Sequence, residues 1–149
     1  MSHSPRWLSA LMRVREHRRD AALQSLGKSL LAARTASEAT QATATEISLL
    51  TATQQDRSLH HVDVDRLRHL RANRDHLRAE FVERLQLQAE ADEGVKLAHA
   101  IAVTQNSEVE ILVRLSDRYQ TANRIIEKRR EEQNLAEAAV TLCNGDRSA

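Results

Sequence analysis

Apolar residues recur along this chain at intervals of three and four, the spacing that puts side chains on one face of an α-helix. From Leu67 the steps land on Leu70, Leu77, Phe81, Ala91, Val95, Ala98, Ala102, Val109 and Leu112. A heptad sustained this long is a coiled-coil seam. Its polar lapses are Arg74, Arg84, Gln88 and Gln105, and the same register continues through Tyr119 and Ile126 to Val140. The N-terminal half carries a weaker stripe of Leu11, Val14, Ala22, Leu26, Leu30, Ala33, Ala44 and Ile47, with Ser37 and Thr40 in the same register. That seam is built largely of small residues.

The breaks in this pattern set the elements. Ser4 is a candidate N-cap, and Pro5 suits a first helical position, where its missing N–H costs nothing. A first helix is predicted over about 5–55. The stripe lapses between Asp56 and Asp63, and Ser58 or Asp63 is placed to cap a new helix. A bend over about 56–63, a second helix over about 64–142 and a short disordered tail complete the expectation. The predicted fold class is all-α: two long helices forming a single antiparallel coiled-coil hairpin with an overhanging C-terminal helix.

If the helices fold back antiparallel, facing residue numbers sum to about 121 when large groups oppose small ones. Leu26 then faces Val95, Leu23 faces Ala98, Leu30 faces Ala91, Ala44 faces Leu77 and Thr40 faces Phe81. Gly27 falls opposite Gly94, which suggests close backbone approach, a bend or coincidence. The first helix ends level with Asp117, leaving Arg118 to Leu142 as an overhang of roughly 25 residues, or about 37 Å at the α-helical rise. An amphipathic segment without an intrachain partner either frays or binds something else.

Composition narrows the picture to helices. The 149 residues include one Pro, three Gly and only 2% aromatic residues, so a compact mixed fold lacks both turns and large core groups. Strand formers are sparse, while Ala, Leu, Arg, Glu and Gln dominate. The charge of +1, from 22 basic and 21 acidic residues, gives no global drive toward nucleic acid. No stretch approaches the roughly 20 apolar residues of a membrane span. The N-terminus places its basic residues after its apolar patch, the reverse of a secretory signal, so a cytoplasmic protein without membrane insertion is expected. Cys143 has no second cysteine to pair with.

Catalytic and metal chemistry find little to work with. His60 and His61 are adjacent, His69 and His76 are seven apart, and no histidine pair has the four-residue helical spacing that zinc uses. There is no glycine-rich phosphate loop, and a two-helix protein offers no pocket that excludes water. The expectation is no enzyme, no metal and no cofactor. Arg71, Arg74 and Arg78 share a helical face that could meet phosphates, but acids interrupt the run and no aromatics interleave for base stacking. No nucleic-acid partner is expected. Trp7, with Leu8, Leu11 and Met12, forms a dense apolar patch suited equally to a clasp near Val113 and Leu115 or to an interface anchor.

The N-terminal RWLSALMRVREHRRDAAL, the bend near residue 60 and the charged C-terminal RIIEKRREEQNLAEAA together resemble the FliJ and YscO stalk proteins of bacterial flagellar and injectisome type III export. The resemblance spans nearly the whole chain and rests on organisation rather than an invariant motif. It implies a hairpin that inserts into a hexameric export ATPase and links it to the export gate at the inner membrane, with export chaperones as further partners. It nominates Arg13, Arg15, Arg18, Arg19, Arg124, Lys128, Arg129, Arg130, Gln133 and Asn134 for ATPase binding, and Leu67 and Leu70 for the export gate. The chain departs from the family in being arginine-rich, with only Lys28, Lys96 and Lys128 as lysines, and in its Ala- and Thr-rich first helix. The alternative is a generic cytoplasmic coiled-coil adaptor or scaffold that homodimerises.

Overall fold

The computed structural model describes residues 5–58 and 63–145. Helix α1 spans Arg6–Ser58 and α2 spans Val64–Gly145. Among the described residues only Pro5 and Asp63 lie outside these helices, and there is no strand. The two helices pack against each other as a helical hairpin. Residues 59–62 of the expected bend, and the expected tail beyond 145, lie outside the described residues.

The helix starts follow from local chemistry. Ser4 lies outside the described residues. Pro5 stands just before α1, not at its first turn as expected, and its carbonyl accepts the N–H of Leu8 at 2.9 Å and of Ser9 at 3.3 Å. Asp63 caps α2 as anticipated. The Asp65 N–H donates to its carboxylate at 3.3 Å, and the Leu67 N–H donates to its carbonyl at 3.2 Å.

Helix α1 holds an unusual load of hydroxyl residues, which usually compete with helical backbone bonding. Here the hydroxyls of Thr35, Thr40, Thr43, Thr45, Ser48, Thr51 and Thr53 each donate to the carbonyl four residues back, at 2.8 to 3.1 Å. The side chains thereby satisfy themselves on the helix they belong to.

Two compact units make up the chain. The hairpin unit comprises residues 21–103, and the terminal unit joins the first twenty residues to 104–149. Within each, the buried positions of α2 repeat the predicted seam. Ala98, Ala102 and Val109 are buried, and Leu67, Leu70, Leu77, Phe81, Ala91, Val95 and Leu112 are half-buried. The four polar lapses Arg74, Arg84, Gln88 and Gln105 are half-buried as well, so they belong to the seam.

The α1 stripe needs correction. Val14 and Leu30 are each 51% exposed and Leu11 also lies at the surface, while Leu8, Met12, Arg15, Arg19, Ala22, Leu26, Ser29 and Ala33 occupy the inward positions. The inward row keeps strict alternating steps of four and three, with polar residues filling several of its places. Ala22, Leu26, Ala33, Ser37, Thr40, Ala44 and Ile47 of the expected stripe are buried or half-buried, and hydrophobicity drew only Leu11, Val14 and Leu30 onto a neighbouring row.

The register differs too. The Thr40 hydroxyl lies 3.4 Å from the Arg84 carbonyl, so facing numbers total 124 there, and Arg15 meets Glu108 at a total of 123. Thr40 thus sits level with Arg84 rather than Phe81, just under one helical turn from the expected partner. The shift sets Ala22 level with Ala102 and Leu26 level with Ala98. Small meets small at the first of these levels, and large still meets small at the second.

The glycine pair marks no close approach. A Cβ built on Gly27 or on Gly94 meets nothing within 4 Å, and neither glycine has positive φ. Gly27→Ala and Gly94→Ala are each expected to stabilise the protein by about 0.5 to 1 kcal/mol, by restricting the unfolded chain and raising helix propensity. Urea unfolding followed by far-UV circular dichroism checks this. A loss of stability in either variant would show that the glycine is needed for its backbone freedom.

Candidate functional site

The hairpin unit contains a polar layer inside its seam. Thr43 is 1% exposed and Thr40 6%. The Arg84 guanidinium crosses from α2, donating through Nη1 to the Ala39 carbonyl at 2.9 Å and to Thr43 Oγ1 at 2.6 Å, and through Nη2 to Glu80 at 2.5 Å. About three turns nearer the bend, Arg74 donates to Gln54 Oε1 at 3.2 Å, with its Nε buried and unpartnered. This turns Arg74 inward, so Arg71, Arg74 and Arg78 do not present a common exposed face. Leu67 and Leu70, the residues nominated for the export gate, are half-buried seam positions near the start of α2.

All ten residues nominated for the ATPase fall in the terminal unit. They divide by environment. Arg15 is half-buried and bonded to Glu108 at 2.5 Å across the helix pair, while Arg19 is half-buried and bonded to its neighbour Asp20 at 2.8 and 3.0 Å. Arg15 is thus held across the helix pair, while Arg19 is held by its neighbour on α1. Arg13, Arg18, Arg124, Lys128, Arg129, Arg130, Gln133 and Asn134 are exposed. They form two groups, one on the first turns of α1 and one on the last third of α2.

The apolar patch at the start of α1 resolves into an inner and an outer part. Leu8 is fully buried and Ser116, level with it in the register above, is 8% exposed. Leu8 is the clasp. Trp7 remains 55% exposed and Leu11 36%, on the outside of the closure.

Past Ser116 the seam stops being covered. Every side chain from Asp117 to Leu142 is exposed except Asn123, which is half-buried. Ile125 and Ile126 are each 48% exposed, and Leu135, Val140 and Leu142 more so. Sequence pattern alone located this overhang, because the heptad outlasts the length of α1.

Among the described residues no cluster of three or more His, Cys, Asp or Glu side chains is placed to hold a metal ion, and no helix is long and apolar enough to cross a membrane. His60 and His61 lie outside the described residues. Lys96 holds its proton more tightly than an ordinary lysine, first through the hydrogen bond it donates to Glu93 at 2.5 Å and then through the charge of that carboxylate. Lys96 therefore carries its charge throughout the neutral range. No family model, no curated protein and no solved structure matches this chain.

Proposed function

We propose that this protein is the central stalk of a bacterial type III export apparatus, binding a hexameric export ATPase through its terminal unit and reaching the export gate from the bend. The observation that carries the reading is the long uncovered stretch of α2, residues 117–142, in the same compact unit as the arginine-rich first turns of α1. A stalk that enters a protein ring needs a helix whose outward face is free to meet subunits all round, and basic side chains suited to acidic subunit surfaces. Arg13, Arg18, Arg124, Lys128, Arg129, Arg130, Gln133 and Asn134 are the contacts to the ATPase, with Arg15, tied to Glu108, and Arg19, tied to Asp20, half-buried behind them. Leu67 and Leu70, near the start of α2, are the contacts to the gate. The protein acts in the cytoplasm at the inner-membrane export machine, carries no catalysis of its own, and takes export chaperones as further partners.

Purified protein is expected to assemble with its cognate export ATPase and raise its rate of hydrolysis. The double reversal Arg18→Glu with Arg129→Glu removes that activation by more than tenfold while leaving the helical signal unchanged. If activation survives both reversals the binding residues lie elsewhere, and if the unaltered protein never activates the ATPase the stalk reading fails.

A further inference from the structure

Two shallow grooves adjoin on the terminal unit. Leu11, Arg15, Glu108, Ile111 and Leu112 line the first, which therefore lies between the helices, and Ile111, Arg114, Leu115 and Arg118 line the second, on α2. Ile111, 64% exposed, belongs to both. On α1, Trp7, Leu11, Val14 and Arg18 follow at steps of four, three and four, so they share the face that Leu11 turns to the first groove. Trp7 and Val14 are each more than half exposed. Trp7, Leu11, Val14, Ile111 and Leu115 thus form one apolar shelf across both helices, the kind of surface that marks an interaction site.

The charges at the two ends of the shelf say what lies on it. Arg118 stands at one end. Arg18 stands at the other, level with Gln105 or Asn106 in the register above. Both are exposed, and among the described residues neither forms an ion pair. The other charges of the shelf are engaged: Glu108 holds Arg15, and Arg114 has Glu110 on its own helix at 3.9 Å. From Arg118 to the level of Arg18 is about 12 residues of α2, or about 18 Å at the α-helical rise. A helix lying on the shelf reaches both arginines with carboxylates about eleven residues apart, three turns on one face, and sets apolar residues at the fourth and seventh steps between them. No two carboxylates of this chain stand eleven residues apart. A second copy therefore lacks the pattern, and the occupant is a different protein.

We infer that the shelf receives one amphipathic helix of another protein, its two central apolar residues seated against Leu11, Ile111 and Leu115 and its flanking carboxylates on Arg18 and Arg118. Burial of the apolar residues supplies the attraction, and the paired charges fix where along the shelf the helix lies. The pattern reads the same in both directions, so the charges set the position of the helix and not its polarity. The docked segment ends at Arg118 and leaves α2 beyond it uncovered. The inference holds whichever protein carries the helix and does not rest on the export reading.

A synthetic peptide of about 20 residues, long enough to form a helix, tests this with the full chain and no ATPase, so failure would leave the export reading standing. The peptide carries two glutamates eleven residues apart and leucines at the fourth and seventh steps, in a background of alanine and glutamine. Titration is expected to shift the emission of Trp7, the only tryptophan, to the blue and to saturate. A peptide with lysines in place of the glutamates binds about tenfold more weakly or worse, and the protein carrying Arg18→Glu with Arg118→Glu reverses that preference. Ile111→Asp loses binding of the glutamate peptide with its helical signal unchanged. No shift with the glutamate peptide at millimolar concentration, equal binding of the two peptides, a preference that survives the double reversal, or full binding by Ile111→Asp each overturns the inference.

Discussion

Truncating Leu8 to alanine is expected to destabilise the protein by about 3 kcal/mol, the largest effect of any single apolar truncation here. Leu8 and Thr43 are the largest side chains with essentially no exposure, and Leu8 is the only apolar one of the two. Most of the seam is made of alanine, threonine and half-buried chains, so little other apolar volume in the terminal unit is fully removed from water. The loss combines the transfer free energy of the deleted carbons with the void they leave. Urea unfolding by circular dichroism measures the size, and amide hydrogen exchange at residues 8–20 and 104–116 measures the location. Leu31→Ala, at a 66% exposed position, is the control and should stay within about 0.5 kcal/mol of the parent. A Leu8→Ala loss no larger than that control would mean that Leu8 closes nothing.

Arg84→Ala is expected to cost about 2 kcal/mol, and Arg84→Leu close to nothing. The arginine stem occupies a seam position while its head group bonds Ala39, Thr43 and Glu80. Truncation removes both packing and hydrogen bonds. Leucine restores the packing, and Thr43 keeps its bond to the Ala39 carbonyl at 3.1 Å. Glu80, about one-third exposed, is left in reach of water rather than buried without a partner. Replacing a partly buried charge by an apolar side chain of similar volume is often neutral for this reason. Equal losses in the two variants, read from urea midpoints at constant slope, would show that the polar contacts themselves hold the layer together.

How far the sequence could be read depended on what each seam is made of. In α2 the apolar repeat is strong enough that even its polar lapses were placed correctly. The heptad fixes a position's direction whatever residue fills it, and Arg74, Arg84, Gln88 and Gln105 all turned out inward. In α1 the same rule placed Ala22, Leu26, Ala33, Ser37, Thr40, Ala44 and Ile47 correctly and failed at Leu11, Val14 and Leu30. Leu30 drew the stripe toward itself while Ser29, its polar neighbour, holds the inward place. The register slipped for a related reason. Volume complementarity discriminates poorly when one seam is mostly alanine and threonine, and the bonds that mark the pairing, from Arg84 to the Ala39 carbonyl and Thr43, are ones no hydropathy pattern reveals. The overhang was legible because it depends only on helix lengths. Which arginines would be braced and which would stand free was not, since Arg15 needs Glu108, 93 residues away, to hold it.

That separation also bears on the order in which the helices come together. Gln54 and Arg74 are 20 residues apart, Thr43 and Arg84 are 41, and Arg15 and Glu108 are 93. Pairing that begins near the bend shortens the loop each later contact must close, so the helices zip from Gln54 toward Leu8 instead of meeting at their far ends. The reverse path follows on opening. Leu8 and Arg15 part first, at a free energy below that of global unfolding. The first turns of α1 then swing away as a unit, carrying Trp7, Arg13 and Arg18 with them. A partner that grips these turns would act on the zipper's last teeth, where binding and fraying compete for the same few side chains.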